Sequence, residues 1–371
     1  MILTVGRVAA GGACVARAED GRVVFVRHCL PGETVRVVVT SEGSKFLRAD
    51  TVEVLEPSPD RVTAPCPYAG TCGGCDWQHA SESAQLALKT ELVREHLRRL
   101  AGHEWDGTVE PVEPRWGWRT RVQWSVGPGG SVGLHPHRSR DVLEVEQCLI
   151  AAAAPPQSGE PGTSIEVLAV QGQHVTTVDG RRSDGPGVRV AVAGRRFEVA
   201  AGGFWQVHER APEVLWEAVL SGLQPRPGDR VVDLYAGAGL FTALLASVVG
   251  PTGSVLAVEA SARACADAAR NTDDQPWVRV RTAAVTPVLV RGLRADLVVL
   301  DPPRAGAGLD VSAALAALPL RAVAYVSCDA ATCARDLRVF RDAGWEVASV
   351  RVFDLYPQTE HVELVVVLRR G

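Results

Sequence analysis

Val231-Val232-Asp233-Leu234-Tyr235-Ala236-Gly237-Ala238-Gly239 is the stretch on which the fold turns. An apolar run ends in a carboxylate, and a Gly-x-Gly then opens a helix, where the backbone must turn sharply and approach a ligand without a Cβ in the way. The next strand, Val255-Leu256-Ala257-Val258-Glu259, ends in a second carboxylate suited to accept hydrogen bonds from ribose hydroxyls. From Gly202 onward, strands near 230–234, 255–259, 277–282, 296–300, 321–327, 346–352 and 362–369 alternate with helices. That rhythm predicts an α/β, Rossmann-like, mainly parallel and doubly wound sheet. A nicotinamide dinucleotide fits the loop less well than S-adenosylmethionine does. Thr242 takes the place of the third glycine that favours a pyrophosphate, and S-adenosylmethionine has none. A glycine turn with no ligand is the plainer alternative.

Two more segments belong to the same carboxyl edge. Asp301-Pro302-Pro303-Arg304 follows the strand Leu297-Val298-Val299-Leu300. Arg304 stands where enzymes that methylate exocyclic amines often carry an aromatic, which counts against that chemistry. Cys328 follows Ala322–Ser327, and Glu363 closes Tyr356-Pro357-Gln358-Thr359-Glu360-His361-Val362-Glu363. A cysteine after a strand is commonly a small buried hydrophobe. Paired with a carboxylate it suits another task. C5 of uracil accepts a methyl group only after a nucleophile adds at C6, a thiolate supplies that nucleophile, and a general base must then remove the C5 proton. Cys328 is the candidate nucleophile and Glu363 the candidate base. Glu360 is a second carboxylate nearby, and either glutamate also reads as a solvated loop residue.

The segment Cys66-Pro67-Tyr68-Ala69-Gly70-Thr71-Cys72-Gly73-Gly74-Cys75 carries three thiols, and Cys148 is a candidate fourth. Four thiolates suit zinc or an iron–sulfur cluster. A zinc ribbon usually offers two Cys-x-x-Cys knuckles and only one is present, so the spacing leans to [4Fe-4S].

Residues 1–57 show short β-branched runs broken by Gly11-Gly12, Pro31-Gly32 and Glu42-Gly43, the pattern of a small β-barrel that ends at Pro57 and Pro59. Ser81–Leu100 has helical apolar spacing beside Arg94, Arg98 and Arg99, which read either as a phosphate-facing row or as a solvated face. Between Arg115 and Val145, Arg119, Arg121, His135, His137, Arg138 and Arg140 interleave with Trp116, Trp118 and Trp124. That mixture fits a surface for single-stranded nucleic acid, or tryptophans in a core. Residues 151–163 and 180–187 read as loops.

With 371 residues the chain is long enough for two or three units. A net charge of -4 excludes a polycation held on nucleic acid by bulk charge but leaves room for local basic surface. There is no basic stretch followed by an apolar leader, and no run approaches a membrane span. The expectation is a cytoplasmic monomer with no membrane partner, in which an odd count of nine cysteines serves metal or catalysis rather than disulfides.

Taken together, these motifs resemble the RNA uracil-5-methyltransferase family, in particular its iron–sulfur-containing 23S ribosomal RNA branch. The likeness spans nearly the whole chain. It implies an OB-like TRAM barrel at 1–57 that binds RNA, a central α+β domain at 58–200 carrying a [4Fe-4S] cluster on Cys66, Cys72, Cys75 and Cys148, and an S-adenosylmethionine-dependent class I methyltransferase domain at 201–371. It implies Cys328 as nucleophile, Glu363 as proton acceptor, and cofactor contacts from Gln206, Tyr235, Glu259 and Asp301 beside the loop glycines Gly237 and Gly239. The implied reaction is methylation of a uridine at C5, in 23S rRNA before transfer RNA. Three departures stand out: Leu240 for a common asparagine, Asp329-Ala330 for Asn-Pro, and Ala283-Ala284 where an acidic residue often lies near the adenine. Two other classes compete. A catalytically silent RNA-binding protein would be free to lose Cys328 or Glu363, and a nicotinamide oxidoreductase would want a glycine at Thr242.

Overall fold

The computed structural model describes residues 1–181 and 187–370, so the loop expected over 180–187 lies in part outside the described residues. The chain begins with β1 (Ile2–Thr4), β2 (Cys14–Arg17), β3 (Val23–Arg27), β4 (Thr34–Glu42) and β5 (Phe46–Glu56), in the order β1-β4-β5-β3-β2. Alternate residues point inward, and Val24, Val26, Val35, Val37, Leu47 and Ala49 fill the interior. Gly6 N–H donates to Val15 O (2.8 Å) and Val15 N–H to Arg7 O (2.9 Å), which closes the sheet into a barrel and leaves no open edge there.

The middle of the chain opens with α1 (Glu82–His96), capped by the Ser81 hydroxyl, which accepts from Ala84 N–H (3.3 Å). A wider turn over Leu97–Ala101 continues it, and left-handed Gly102 ends it. Next come β6 (Glu110–Pro111), β7 (Arg121–Val126), β8 (Val132–Leu134), β9 (Leu143–Glu144), β10 (Ser164–Val170) and β11 (Gln173–Val178); all but β6 form the sheet β11-β10-β7-β8-β9. The hairpin β12 (Val188–Val192) and β13 (Arg195–Val199) follows. Trp118 and Trp124 are both buried, and Trp124 belongs to the core of this sheet. Near the end of α1, Arg94 donates to the carbonyls of Asp106 and Gly107, and in the turn that follows Arg99 pairs with Glu95.

The C-terminal half contains α2 (Ala211–Leu223), β14 (Arg230–Leu234), α3 (Leu240–Val249), β15 (Ser254–Glu259), α4 (Ala262–Asn271), β16 (Val278–Thr282), α5 (Pro287–Arg291), β17 (Leu297–Leu300), α6 (Leu309–Ala316), β18 (Ala322–Ser327), α7 (Ala330–Asp342), β19 (Trp345–Asp354) and β20 (Glu363–Arg370). Its sheet runs β16-β15-β14-β17-β18-β20-β19-β6. Strands β14 to β18 are parallel, while β20 is antiparallel to both neighbours. The 355–362 connection is too short for a parallel crossover, which needs a dozen or more residues.

Both faces of the sheet are covered, and β17 and β18 are buried along their whole length. Apolar packing runs across the chain's divisions. Val93, Leu97, Ala101 and Val109 join the core under α6 and α7, and the β12–β13 hairpin packs with α2 and α3 on the other face. Among the described residues no helix is long and apolar enough to cross a membrane. Strand order reverses between β14 and β17, and ligands of such sheets gather beyond the carboxyl ends at that reversal.

Candidate active site

Beyond that reversal lies a cavity of about 1310 Å³, and Gln206, Tyr235, Gly237, Glu259, Asp301, Cys328 and Glu363 all line it. Residues drawn from more than 150 positions of sequence thus share one space. Gly239 is the exception among the expected contacts. It does not line the cavity; at φ 86° it lets α3 start against α4, where a Cβ would stand 3.1 Å from Ala268 Cα and Cβ. Tyr235 and Gly237 also take positive φ (62° and 54°), so the loop after β14 coils tightly enough for Gly237 N–H to reach Glu259 Oε2 at 3.1 Å. The other oxygen of Glu259 accepts from Ser261 N–H at 2.8 Å.

Thr242, which counted against a pyrophosphate, has a positive role. Its hydroxyl donates to Asp233 Oδ2 at 2.5 Å inside the core, and burial holds the Asp233 carboxyl up at about 7. Across the cavity Gln206 Nε2 donates to Asp301 Oδ2 at 3.2 Å, and enclosure raises Asp301 to about 6 against the lowering effect of that bond. Leu240 and Ala284, two of the family departures, face the cavity with apolar surface. The third is absorbed locally: Asp329 caps α7 by accepting from Thr332 N–H at 2.8 Å, as an asparagine would.

Cys328 and Glu363 meet because β18 and β20 are antiparallel neighbours. Ser327 pairs with Leu364, so the next residue on each strand is Cys328 beside Glu363. Burial and the nearby Glu363 push the Cys328 thiol up to about 12, opposed by the Arg304 guanidinium. Glu363, 3% exposed, is raised well above the usual carboxylate range by burial and by Asp301, and is pulled down by a hydrogen bond from Tyr356 and by Arg304. Each group favours its neutral form. A raised carboxyl poised beside a thiol is the pattern of proton-transfer machinery. Glu360 also lines the cavity, where it accepts from Gly11 N–H of the barrel and its own N–H donates to Asp76 Oδ2 at 3.1 Å.

Other cavity residues escaped the sequence reading. Arg304 was weighed only for the aromatic it replaces, yet it is the cation facing the thiol and the carboxyl. Trp118, Arg119 and His361 line the wall contributed by other parts of the chain, with Trp118 edge-on to Tyr356 at 5.9 Å. The interleaving of basic and aromatic residues marked Trp118 and Arg119 but not their place in this wall, which exists only after the sheets dock.

Cys66, Cys72, Cys75 and Cys148 surround a second cavity of about 210 Å³. Cys72 N–H donates to Tyr68 O (2.8 Å) and Gly73 N–H to His135 O (3.0 Å), which pins the cysteine loop to the segment after β8. A Cβ at Gly73 would meet His135 O and His137 at 3.1 Å, so the close approach requires glycine. Burial raises Cys72, Cys75 and Cys148, and their mutual proximity raises them further. Among the described residues no three His, Cys, Asp or Glu side chains close on a point as ligands of one metal ion. The cavity brings together four thiols from two segments, a soft donor set.

Known proteins match along the chain. Residues 288–371 match the family model described as tRNA (Uracil-5-)-methyltransferase, and residues 2–52 match the TRAM domain. Residues 211–285, the half with the glycine loop, match protein-L-isoaspartate(D-aspartate) O-methyltransferase. An uncharacterized RNA methyltransferase of Streptomyces coelicolor is 45% identical over 98% of this chain and 91% of its own length. A 23S rRNA (uracil(1939)-C(5))-methyltransferase of Pseudomonas putida, RlmD, is 29% identical over 100% of this chain and 93% of its own. The crystal structure of Pyrococcus abyssi tRNA (uracil-54, C5)-methyltransferase with S-adenosyl-L-homocysteine superposes with a TM-score of 0.73 at 19% identity, covering 99% of this chain and 100% of that one, a likeness of fold.

Proposed function

The chain belongs to the RNA uracil-5-methyltransferase family, S-adenosylmethionine-dependent enzymes that methylate C5 of uracil in RNA, and we propose that it acts on a uridine of 23S rRNA through a covalent Cys328–C6 intermediate. The observation that carries the mechanism is the juxtaposition of Cys328 and Glu363 across β18 and β20, both lining the cavity that Glu259 and Asp301 share. The cofactor supplies an electrophilic methyl group. Gln206, Tyr235, Gly237, Glu259 and Asp301 hold it, with Glu259 placed for the ribose hydroxyls.

Cys328 gives its proton to solvent water, helped by Arg304 and the positive first turn of α7, and its thiolate sulfur bonds to C6 of the uracil. The electron pair of the C5–C6 bond moves out toward C5 and O4. C5 is then the acceptor for the methyl group that a bound S-adenosylmethionine would supply as its methyl–sulfonium bond breaks. Glu363 removes the C5 proton; its electrons restore C5=C6 and expel the Cys328 thiolate. The 23S assignment follows the Pseudomonas putida relative, while the Pyrococcus abyssi structure and the family model point to transfer RNA as the second reading.

In the same proposal residues 1–57 bind RNA, 58–200 carry the cysteine site and help hold the base, and 201–371 carry out the transfer in the cytoplasm. A [4Fe-4S] cluster on Cys66, Cys72, Cys75 and Cys148 fits the donor set and the cavity, and would lock the cysteine loop to the segment around Cys148.

The test sets two variants against each other. Cys328→Ala should give neither 5-methyluridine nor a covalent complex. Glu363→Gln should still add and methylate but stall, leaving RNA in an adduct that survives denaturing electrophoresis. Methylation by Cys328→Ala, or wild-type turnover by Glu363→Gln, would falsify the roles. Mapping 5-methyluridine in total RNA with and without the gene decides between ribosomal and transfer RNA.

A further inference from the structure

Glu363 faces Asp301 from the end of β17, Cys328 from the end of β18, Cys333 from α7, and Arg304 from the loop after β17. A buried carboxyl beside a second carboxyl tends to keep its proton, and a protonated glutamate cannot take another from C5. The feature that opposes this in the structure is local. Tyr356 Oη donates to Glu363 Oε2 at 2.8 Å, and among the described residues no hydrogen bond reaches Oε1. Tyr356 is itself fixed from outside the catalytic sheet. Its ring stands edge-on to Trp118 (5.9 Å) and His361 (6.0 Å), and its carbonyl accepts from Lys89 Nζ of α1 (3.0 Å) and from the Thr359 hydroxyl (2.8 Å).

We propose that Tyr356 is a positioning residue for the elimination step: its phenol holds Oε2 of Glu363, keeps the carboxylate ionised in the loaded site, and leaves Oε1 to receive the C5 proton. The inference rests on the reading of Glu363 as base. The phenol transfers no proton in this scheme; it remains donor throughout, and the C5 proton goes to Glu363 alone. Lys89 and Trp118 lie in the segment 58–200, so the middle of the chain reaches the chemistry through Tyr356.

Tyr356→Phe keeps the ring and its packing and deletes only the donor. The experiment follows methyl transfer from methyl-labelled S-adenosylmethionine to total RNA from cells lacking this gene, in single turnovers across pH, with denaturing gels reading the adduct. Tyr356→Phe should form the adduct as fast as wild type but resolve it about tenfold more slowly at neutral pH, with the acid limb of resolution moved up by about one pH unit and wild-type rates regained at higher pH. Cofactor and RNA affinities should stay as in wild type. A slowing that is equal at every pH, or an unmoved limb, overturns the proposal in favour of packing alone. The Glu363→Gln control separates the failures. If it stalls as an adduct while Tyr356→Phe behaves as wild type, Tyr356 is excluded and the base stands; if it turns over normally, both fall.

Discussion

Glu259 receives two backbone N–H groups, from Gly237 and Ser261, and so organises the glycine loop as well as offering an acceptor to the ribose. Glu259→Ala should weaken S-adenosylmethionine binding by about 1.5–3 kcal/mol, the range for a hydrogen bond to a charged group, as read by calorimetry. Unchanged affinity removes Glu259 from the site. Asp233 has the opposite character. Its carboxyl, ordinarily near 3.8, is held at about 7 by burial, so over that range the folded protein keeps a proton that the unfolded chain releases. The stabilisation is complete below about pH 4 and is lost as pH rises through about 7. Asp233→Asn cannot ionise, so in urea denaturation the wild type should lose about 2 kcal/mol relative to the variant between about pH 5 and about pH 7. Parallel curves for the two proteins would show Asp233 ionised throughout.

Helix α1 and the 355–362 connection form the joint that carries the active-site loop. Lys89 Nζ, fully buried, lies 2.5 Å from Asp354 Oδ1, and Arg115 lies 3.1 Å from Asp354 Oδ2. Gln85 and Gln358 exchange two hydrogen bonds, 2.9 and 3.0 Å. Lys89→Met removes a buried partner and should destabilise the fold by about 3–5 kcal/mol, because the Asp354 charge is left buried with only Arg115 nearby. Urea denaturation checks this, and a loss below about 1 kcal/mol would mean that Arg115 alone suffices. The apolar spacing of Ser81–Leu100 showed the helix but not this joint. Nothing in that spacing singles out Gln85 or Lys89, whose burial depends on Gln358 and Asp354, more than 260 residues away.

In the whole molecule the barrel, the cysteine segment and the catalytic sheet share walls. Gly73 and Gly74, between Cys72 and Cys75, line both the cysteine cavity and the cofactor cavity, as does Arg119. Trp77 Nε1 donates to Gly12 O of the barrel at 2.9 Å. Protein purified without oxygen should contain about four iron and four sulfide per chain, and Cys72→Ser should lose them. Stoichiometric zinc with no iron would refute the cluster.

What the sequence by itself determined is whatever local chemistry repeats: the strand–helix rhythm after Gly202, the glycine loop, the carboxylates closing β15 and preceding the two prolines, and the thiol and glutamate at 328 and 363. These were legible because strand and helix periods, turn residues and nucleophile types act over a few neighbouring positions. The tertiary structure alone decided the antiparallel return of β20, which sets Glu363 beside Cys328, and the burial of Trp118 and Trp124. It also decided the hydrogen bonds from Gly11 of the barrel to Glu360 and from Tyr356 to Glu363. Each of these depends on which distant surface a side chain meets. No local pattern encodes that, because a buried carboxyl and a solvated one are the same residue until the second wall arrives.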